Sequence, residues 1–190
     1  MRPFWPLNWF IRRSSTGRDM STDCIFCLIA SGEDEEAEIV KQNKELVCFK
    51  DIYPAAPHHY LVVPRQHIYS CFSLHRGHIS LVKKMAEMGK AVLREQGITD
   101  MTVARLGFHQ PPYISVGHLH LHVIAPASQI SPYMLYKFIP ETESFITEES
   151  LRRDLQVKHH CSENCMCPRF LNRTLVAAEA QTCDLEHSQM

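Results

Sequence analysis

The sequence predicts an α+β fold, a roughly five-stranded antiparallel sheet with one long helix and a short N-terminal helix. Three observations lead there. Helical periodicity of apolar residues is sustained in only one long stretch. Several short runs of strand character are separated by turn and proline signals. These runs follow one another in mostly hairpin order instead of alternating with helices, which argues against a doubly wound parallel sheet.

The first element is apolar and short. Cys24–Ser31 reads CIFCLIAS, is bounded by Gly32 and an acidic run, and can be capped by Thr22 or Asp23, so one or two helical turns are expected. Glu38–Lys41 and Leu46–Lys50 read as two strands around a polar turn at Gln42–Glu45. Asp51 to Pro57 contains Pro54 and Pro57 and must be a loop, because proline lacks the N–H that a helix or central strand needs. His59–Val63, closed by Pro64, is the next strand. In Ile79–Gln96 the residues Ile79, Val82, Met85, Ala86, Met88, Gly89, Val92 and Leu93 recur at three- and four-residue spacing, and Gly97 stops the helix. Met101–Phe108 and His118–Ile124 complete the set of strands, with the proline-containing segment Gln110–Tyr113 between them.

The 190 residues suit one domain with tails, and 45% hydrophobic with 22% charged residues is ordinary for a globular chain. Residues 1–20 read as a flexible leader, 21–128 as the globular body and 129–190 as a weakly structured C-terminal extension. The leader carries Arg2, Arg12, Arg13 and Arg18 with no acid before Asp19, which also fits an organelle transit peptide. No run approaches the ~20 apolar residues of a membrane span. A net charge of −1 disfavours nucleic acid as a partner held by overall basicity. The 8 cysteines follow no secretory signal, so reduced thiols in the cytoplasm or nucleus are expected.

The segment carrying the most chemistry is Gly117-His118-Leu119-His120-Leu121-His122-Val123-Ile124. Its period of two places His118, His120 and His122 on one face and Leu119, Leu121 and Val123 on the other. A face of three imidazoles on a buried strand is costly unless the rings have a task. They can be hydrogen-bonded structural residues, ligands of a shared zinc ion, or agents of phosphate chemistry, in which a neutral imidazole attacks phosphorus and a neighbour offsets its negative charge. Asp51 reads from its loop as a capping carboxylate. Phe26, Ile29 and Phe49 are either core or binding walls. Cys24-Ile25-Phe26-Cys27 is either half of a zinc site or two small apolar residues on a short helix. His159, His160, Cys161, Cys165 and Cys167 crowd together but fit no standard finger spacing.

His118–Ile124 resembles the alternating His–apolar signature of the histidine triad family. Ile25-Phe26-Cys27-Leu28-Ile29, Phe49-Lys50-Asp51-Ile52 with Pro54 and Pro57, and His59–Pro64 followed by His67-Ile68 are similar to that family's other blocks, in order and over roughly residues 22–128. The resemblance implies the family's fold and the branch that cleaves adenosine 5′-monophosphoramidates, with no required cofactor and a homodimeric or higher assembly. It implies His120 as the nucleophile, transiently adenylylated, and His122 as the residue that hydrogen-bonds the phosphate. His118 and His59 become supporting residues, Asp51 and Ile52 hold ribose and base, Phe26, Ile29 and Phe49 wall the adenine, and Ser115 lies near the leaving group. Some bacterial relatives with a similar CxxC bind zinc there, which points to Cys24, Cys27, His67 and His118 as a structural site. Relatives often carry an Asn and a Gly-rich stretch before the triad. Here the segment is Gly107–Tyr113 (GFHQPPY), with His109 or Gln110 in that place, so the leaving-group preference stays open. The alternatives are a dinucleoside polyphosphate hydrolase using the same nucleophile, a nucleotide-binding regulatory protein with incidental hydrolysis, and a zinc hydrolase.

Overall fold

A computed structural model of the chain describes residues 24–157. The expected leader, the caps Thr22 and Asp23, and the histidines and cysteines of 159–167 lie outside the described residues. The elements are α1 (Ile25–Ser31), β1 (Ile39–Gln42), β2 (Leu46–Lys50), β3 (His58–Pro64), α2 (Ile79–Glu95), β4 (Arg105–His109), β5 (Leu121–Ala125), β6 (Phe145–Thr147) and α3 (Glu148–Val157). The sheet is antiparallel with strand order β1-β2-β3-β5-β4-β6, six strands where roughly five were expected.

The N-cap of α1 is Cys24, which makes no side-chain capping bond. The expected strand over 101–108 starts late. Asp100 accepts the N–H of Thr102 at 2.9 Å and winds Met101–Val103 into a 3₁₀ turn, so pairing begins at Arg105. The histidine segment is shorter as a strand than its alternation suggests. The β3–β5 register runs from His58 opposite Ala125 to Val62 opposite Leu121. Continued, it would bring Leu119 opposite Pro64, which has no N–H to offer. Instead the Pro64 carbonyl is taken by the His118 ring at 2.9 Å and the Leu119 N–H turns to the Ile68 carbonyl at 2.6 Å. The ladder therefore starts at Leu121, although His118, His120 and His122 still share a side.

The expected boundary at 128 does not hold. Residues beyond it continue into β6, which pairs with β4 through Gly107 opposite Thr147 and His109 opposite Phe145, and into α3. A sequence signal for both was present. Phe145-Ile146-Thr147 has strand character, the Thr147 hydroxyl accepts the Ser150 N–H at 3.3 Å, Glu148 and Glu149 fill the first turn of α3, and Leu151 and Leu155 are buried one turn apart. Gly107 is what lets β6 dock, since a Cβ there would come within 2.5 Å of the Phe145 ring.

The sheet has two covered faces. Cys48, Tyr60, Val62, Leu121 and Val123 face α2 and pack with Val82, Met85, Val92 and Leu93. Burial of each large apolar side chain contributes roughly 1.5–3 kcal/mol. α2 ends at Glu95 just ahead of Gly97, whose φ of 86° is the left-handed stop expected from sequence. Gly89 allows α2 to approach β5 closely, because a Cβ there would meet the Val123 side chain at 2.5 Å. On the opposite face Phe26 and Ile29 of α1 pack with Phe49 and Leu61, and beside them lie the histidines. Among the described residues no helix is long and apolar enough to cross a membrane.

Candidate active site

Because Leu121 and Val123 are fixed against α2, strand alternation turns His122 to the other face, opposite Leu61 of β3 and Gly107 of β4. His59 of β3 and His109 of β4 reach the same face. The rings form a contiguous group, with centroids 5.1 Å apart for His120 and His122, 5.2 Å for His59 and His122, and 4.7 Å for His109 and His122. His118, His120, His122 and His59 are all buried.

Hydrogen bonds fix which nitrogen of each ring carries the proton. His120 places Nδ1 2.6 Å from the His118 carbonyl, so Nδ1–H donates and Nε2 keeps its lone pair. The backbone N–H of Ala55 donates to His59 Nδ1 at 3.0 Å, so the His59 proton is on Nε2. That proton points at His122 Nδ1 (2.9 Å) and Asp51 Oδ2 (3.3 Å). His122 Nδ1 is thereby an acceptor and its Nε2 carries hydrogen. His122 Nε2 is buried with no partner among the described residues. An unpartnered buried N–H beside a lone-pair nitrogen is a donor–nucleophile pair poised for an anionic, electrophilic group.

Electrostatics keep the rings neutral. Burial pushes His120 down to about 4 and His59 down to about 3, with the neighbouring histidines acting in the same direction on both. His122 is held well below the usual imidazole range by burial and by His120, His59 and His109. Burial raises Asp51 to about 6, against the opposing Tyr53 N–H that donates to its Oδ1 at 2.8 Å. Asp51 thus caps its loop and faces the His59–His122 pair.

The other expected residues are placed less uniformly. Phe26 sets its ring edge-to-face against Phe49 (5.5 Å) and His120 (5.2 Å), and Ile29 is buried beside them. Ile52 is exposed on the rim next to Asp51, and Ser115 is exposed in the loop before the triad. Gln110 is turned away, its amide donating to the Thr142 carbonyl at 3.0 Å, whereas His109 lines a small cavity together with His120 and Ser70. A larger cavity of about 340 Å³ lies between β1 and α2, lined by Lys41 and Lys84, which pair with Glu95 and Glu45, and by Lys83, and holds none of these groups.

Phe138 was missed. It comes from the segment read as tail, yet its ring packs against His59 (5.5 Å), His109 (5.2 Å) and His122 (5.3 Å) as the wall behind the group. No periodicity marks it, because it sits in a 3₁₀ turn at Leu135–Phe138.

Two clusters have metal-ligand composition. Cys24, Cys27, His67 and His118 bring their ligand atoms within 4.8 Å of one another. Cys27 Sγ lies 3.2 Å from His67 Nδ1 and 3.5 Å from His118 Nδ1, and Cys24 Sγ lies 3.4 Å from His118 Nδ1. His118 donates Nε2–H to the Pro64 carbonyl, leaving the Nδ1 lone pair toward the thiols. A Cys₂His₂ set with one ring oriented from behind fits a tetrahedral zinc. The second cluster is Asp51, His59 and His122. It does not fit, because the Ala55 N–H commits His59 Nδ1 as acceptor and so puts a proton on the nitrogen that would ligate.

Comparison with known proteins bears on the family and the fold. A family model described as scavenger mRNA decapping enzyme C-term binding matches residues 23–133. The chain is 50% identical over 138 residues to adenosine 5′-monophosphoramidase HINT3 of Danio rerio, covering 73% of this chain and 85% of that one. It is 49% identical over 140 residues to the Xenopus tropicalis protein of the same name, covering 73% and 89%. A HIT family hydrolase of Legionella pneumophila superposes with a TM-score of 0.51 at 31% identity, covering 54% of this chain and 92% of that one.

Proposed function

Because the chain belongs to the histidine triad family, we propose that it is an adenosine 5′-monophosphoramidase-type hydrolase, releasing AMP from AMP-linked phosphoramidates, and from acyl-adenylates, through an adenylyl-histidine intermediate. The observation that carries the reading is the pairing of a lone pair on His120 Nε2 with the unpartnered Nε2–H of His122. The HINT3 relatives bear the matching activity in their names.

In the first step His120 Nε2 attacks the α-phosphorus, the P–N bond to the substrate amine breaks, and the amine leaves with a proton taken from solvent. The His122 N–H donates to a non-bridging oxygen, where negative charge builds up in the transition state. Water then cleaves the P–N bond to His120 and AMP departs. Attack needs a neutral imidazole, which burial secures. Asp51 and Ile52 stand at the rim for ribose and base, with Phe26, Ile29 and Phe49 as the adjoining apolar wall and Ser115 on the loop of the leaving-group side.

A structural zinc held by Cys24, Cys27, His67 and His118 would join α1 to the segment carrying the triad, supplying stability and no chemical step. A homodimer is expected of this branch, and β1 and β6 are the edge strands of the described sheet.

The test is an incubation with an adenosine phosphoramidate in the presence of chelator, acid quench, and mass spectrometry of the peptide spanning 118–122. An adenylyl adduct on His120, and loss of turnover with retained AMP binding in His120→Asn, are expected. Activity abolished by chelator would favour a zinc hydrolase, and an active His120→Ala protein would refute the assignment.

A further inference from the structure

We propose that His109 is a catalytic residue, the base that takes the proton of the water that hydrolyses adenylyl-His120; this rests on the double-displacement reading above.

Elimination among the surrounding groups leads to it. Once adenylylated, His120 has its Nε2 on phosphorus and its Nδ1–H on the His118 carbonyl. His122 presents an N–H on Nε2 and accepts from His59 on Nδ1, so it is a donor. His59 accepts from Ala55 on Nδ1 and carries hydrogen on Nε2. His118 donates Nε2–H to Pro64 and turns its Nδ1 to the thiols of Cys24 and Cys27. Asp51 has one oxygen on the Tyr53 N–H and the other facing His59. His109 differs from all of these. Its Nδ1 lies 3.1 Å from the Ser144 carbonyl and donates to it, which leaves the Nε2 lone pair with no partner among the described residues. Among these rings, once His120 is adenylylated, His109 is the one with a free acceptor.

The surroundings match the task. His109, His120 and Ser70 line one cavity of about 10 Å³. That is roughly the space of one water, and a polar wall is what such a water requires. The Ser70 hydroxyl accepts the Phe72 N–H at 3.3 Å and keeps its own hydrogen to donate. Phe138 and Phe145 hold the His109 ring, with centroids at 5.2 and 5.4 Å. The Ser144 carbonyl behind Nδ1 favours the imidazolium that proton transfer creates, as a carboxylate does behind other catalytic histidines. His109 is supported from β6's side of the sheet, so the base depends on the segment beyond 128.

The step balances without a further reactant. The water oxygen forms a bond to phosphorus, its proton passes to His109 Nε2, and the P–N bond to His120 breaks with the electron pair returning to His120 Nε2. AMP leaves, and His109 gives the proton to solvent.

The experiment is rapid-quench kinetics of the full chain with an adenosine phosphoramidate bearing a fluorescent amine, comparing wild type, His109→Asn and His109→Ala. Asn keeps a donor for the Ser144 carbonyl but is no base. The expected result is a first-turnover burst of amine at the wild-type rate, adenylyl-His120 as the accumulated species, and steady-state release of AMP slowed about 10²-fold or more. Added imidazole is expected to speed the second phase of His109→Ala, which a merely structural role would not allow. Wild-type steady state with no accumulated adduct in His109→Asn would overturn the proposal, as would parallel slowing of both phases in both variants without imidazole response. Absence of the adduct in a wild-type protein that turns over would instead sink the double displacement itself, and this inference with it.

Discussion

His59 Nε2 sits 2.9 Å from His122 Nδ1, and with the Ala55 N–H on its far nitrogen it can only donate there. One backbone amide in a proline-bounded loop thereby dictates, through two rings, that His122 offers an N–H to the site. A ring one step removed thus sets the polarity of His122.

Removing this relay should cost activity more than binding. In His59→Phe the His122 ring is free to take the other tautomer and present a lone pair to the phosphate. A fall in kcat of about 10²-fold is expected, the scale of a lost positioned donor, with AMP affinity within a fewfold of wild type. Steady-state kinetics and calorimetric titration of AMP check it; an unchanged kcat would show that the tautomer is set elsewhere.

The same burial makes stability depend on pH with a definite sign. His59, lowered to about 3, stays neutral in the folded chain while an unfolded histidine takes up a proton below about 6.5. The unfolded state binds more protons, so the His59 contribution is complete above pH ~6.5 and is lost as pH falls toward 3, at about 1.4 kcal/mol per pH unit. His122 acts in the same direction. Asp51, raised to about 6, opposes them, because its protonated form is favoured in the fold and its share is lost as pH rises through 6. With His120, lowered to about 4, three histidines outweigh one carboxyl over the interval between pH 4 and 6. Denaturant unfolding at pH 7 and pH 5 should show lower stability at pH 5, and His59→Phe should flatten the difference.

Zinc bound at Cys24, Cys27, His67 and His118 should copurify at one ion per chain, measured by mass spectrometry of the metal. Cys27→Ser should lower the content and reduce Tm. Each 1 kcal/mol of lost linkage corresponds to roughly 2–4 °C for a chain of this size. Chelated protein is expected to keep its chemical step. A metal-free preparation from zinc-replete growth would end the proposal.

A chain ending at residue 128 should fail to fold as a soluble domain, whereas one ending at 157 should match the full chain in Tm. The shorter chain loses Phe138 and Phe145, both buried, and bares the β4 edge. Truncating a buried phenylalanine alone costs about 3–5 kcal/mol, and an open sheet edge invites aggregation. Light scattering and circular dichroism of the two chains decide it.

Local chemistry made much of this legible. The helix over 79–96 and the strand Leu46–Lys50 follow from apolar period and turn residues, because side chains on a regular backbone meet the core at a fixed interval. The alternation in 118–122 assigned the three rings to one side even though pairing begins only at Leu121. The missed elements are those whose partners lie far along the chain. β6 is three residues long and acquires its meaning from β4, where Phe108 pairs with Ile146, 38 positions further along the chain.

By itself the sequence determined that imidazoles alternate with apolar residues on one extended segment, since a period of two needs no knowledge of neighbours. It also determined the long helix that the segment packs against. Tertiary structure decided which nitrogen of each ring bears a proton, which of His109 and Gln110 enters the site, and that Phe138 stands behind it. Those outcomes depend on carbonyls and amides at Pro64, Ala55 and Ser144, brought within 3 Å or so only when the sheet closes, and a hydrogen bond that short-ranged leaves no trace in local pattern.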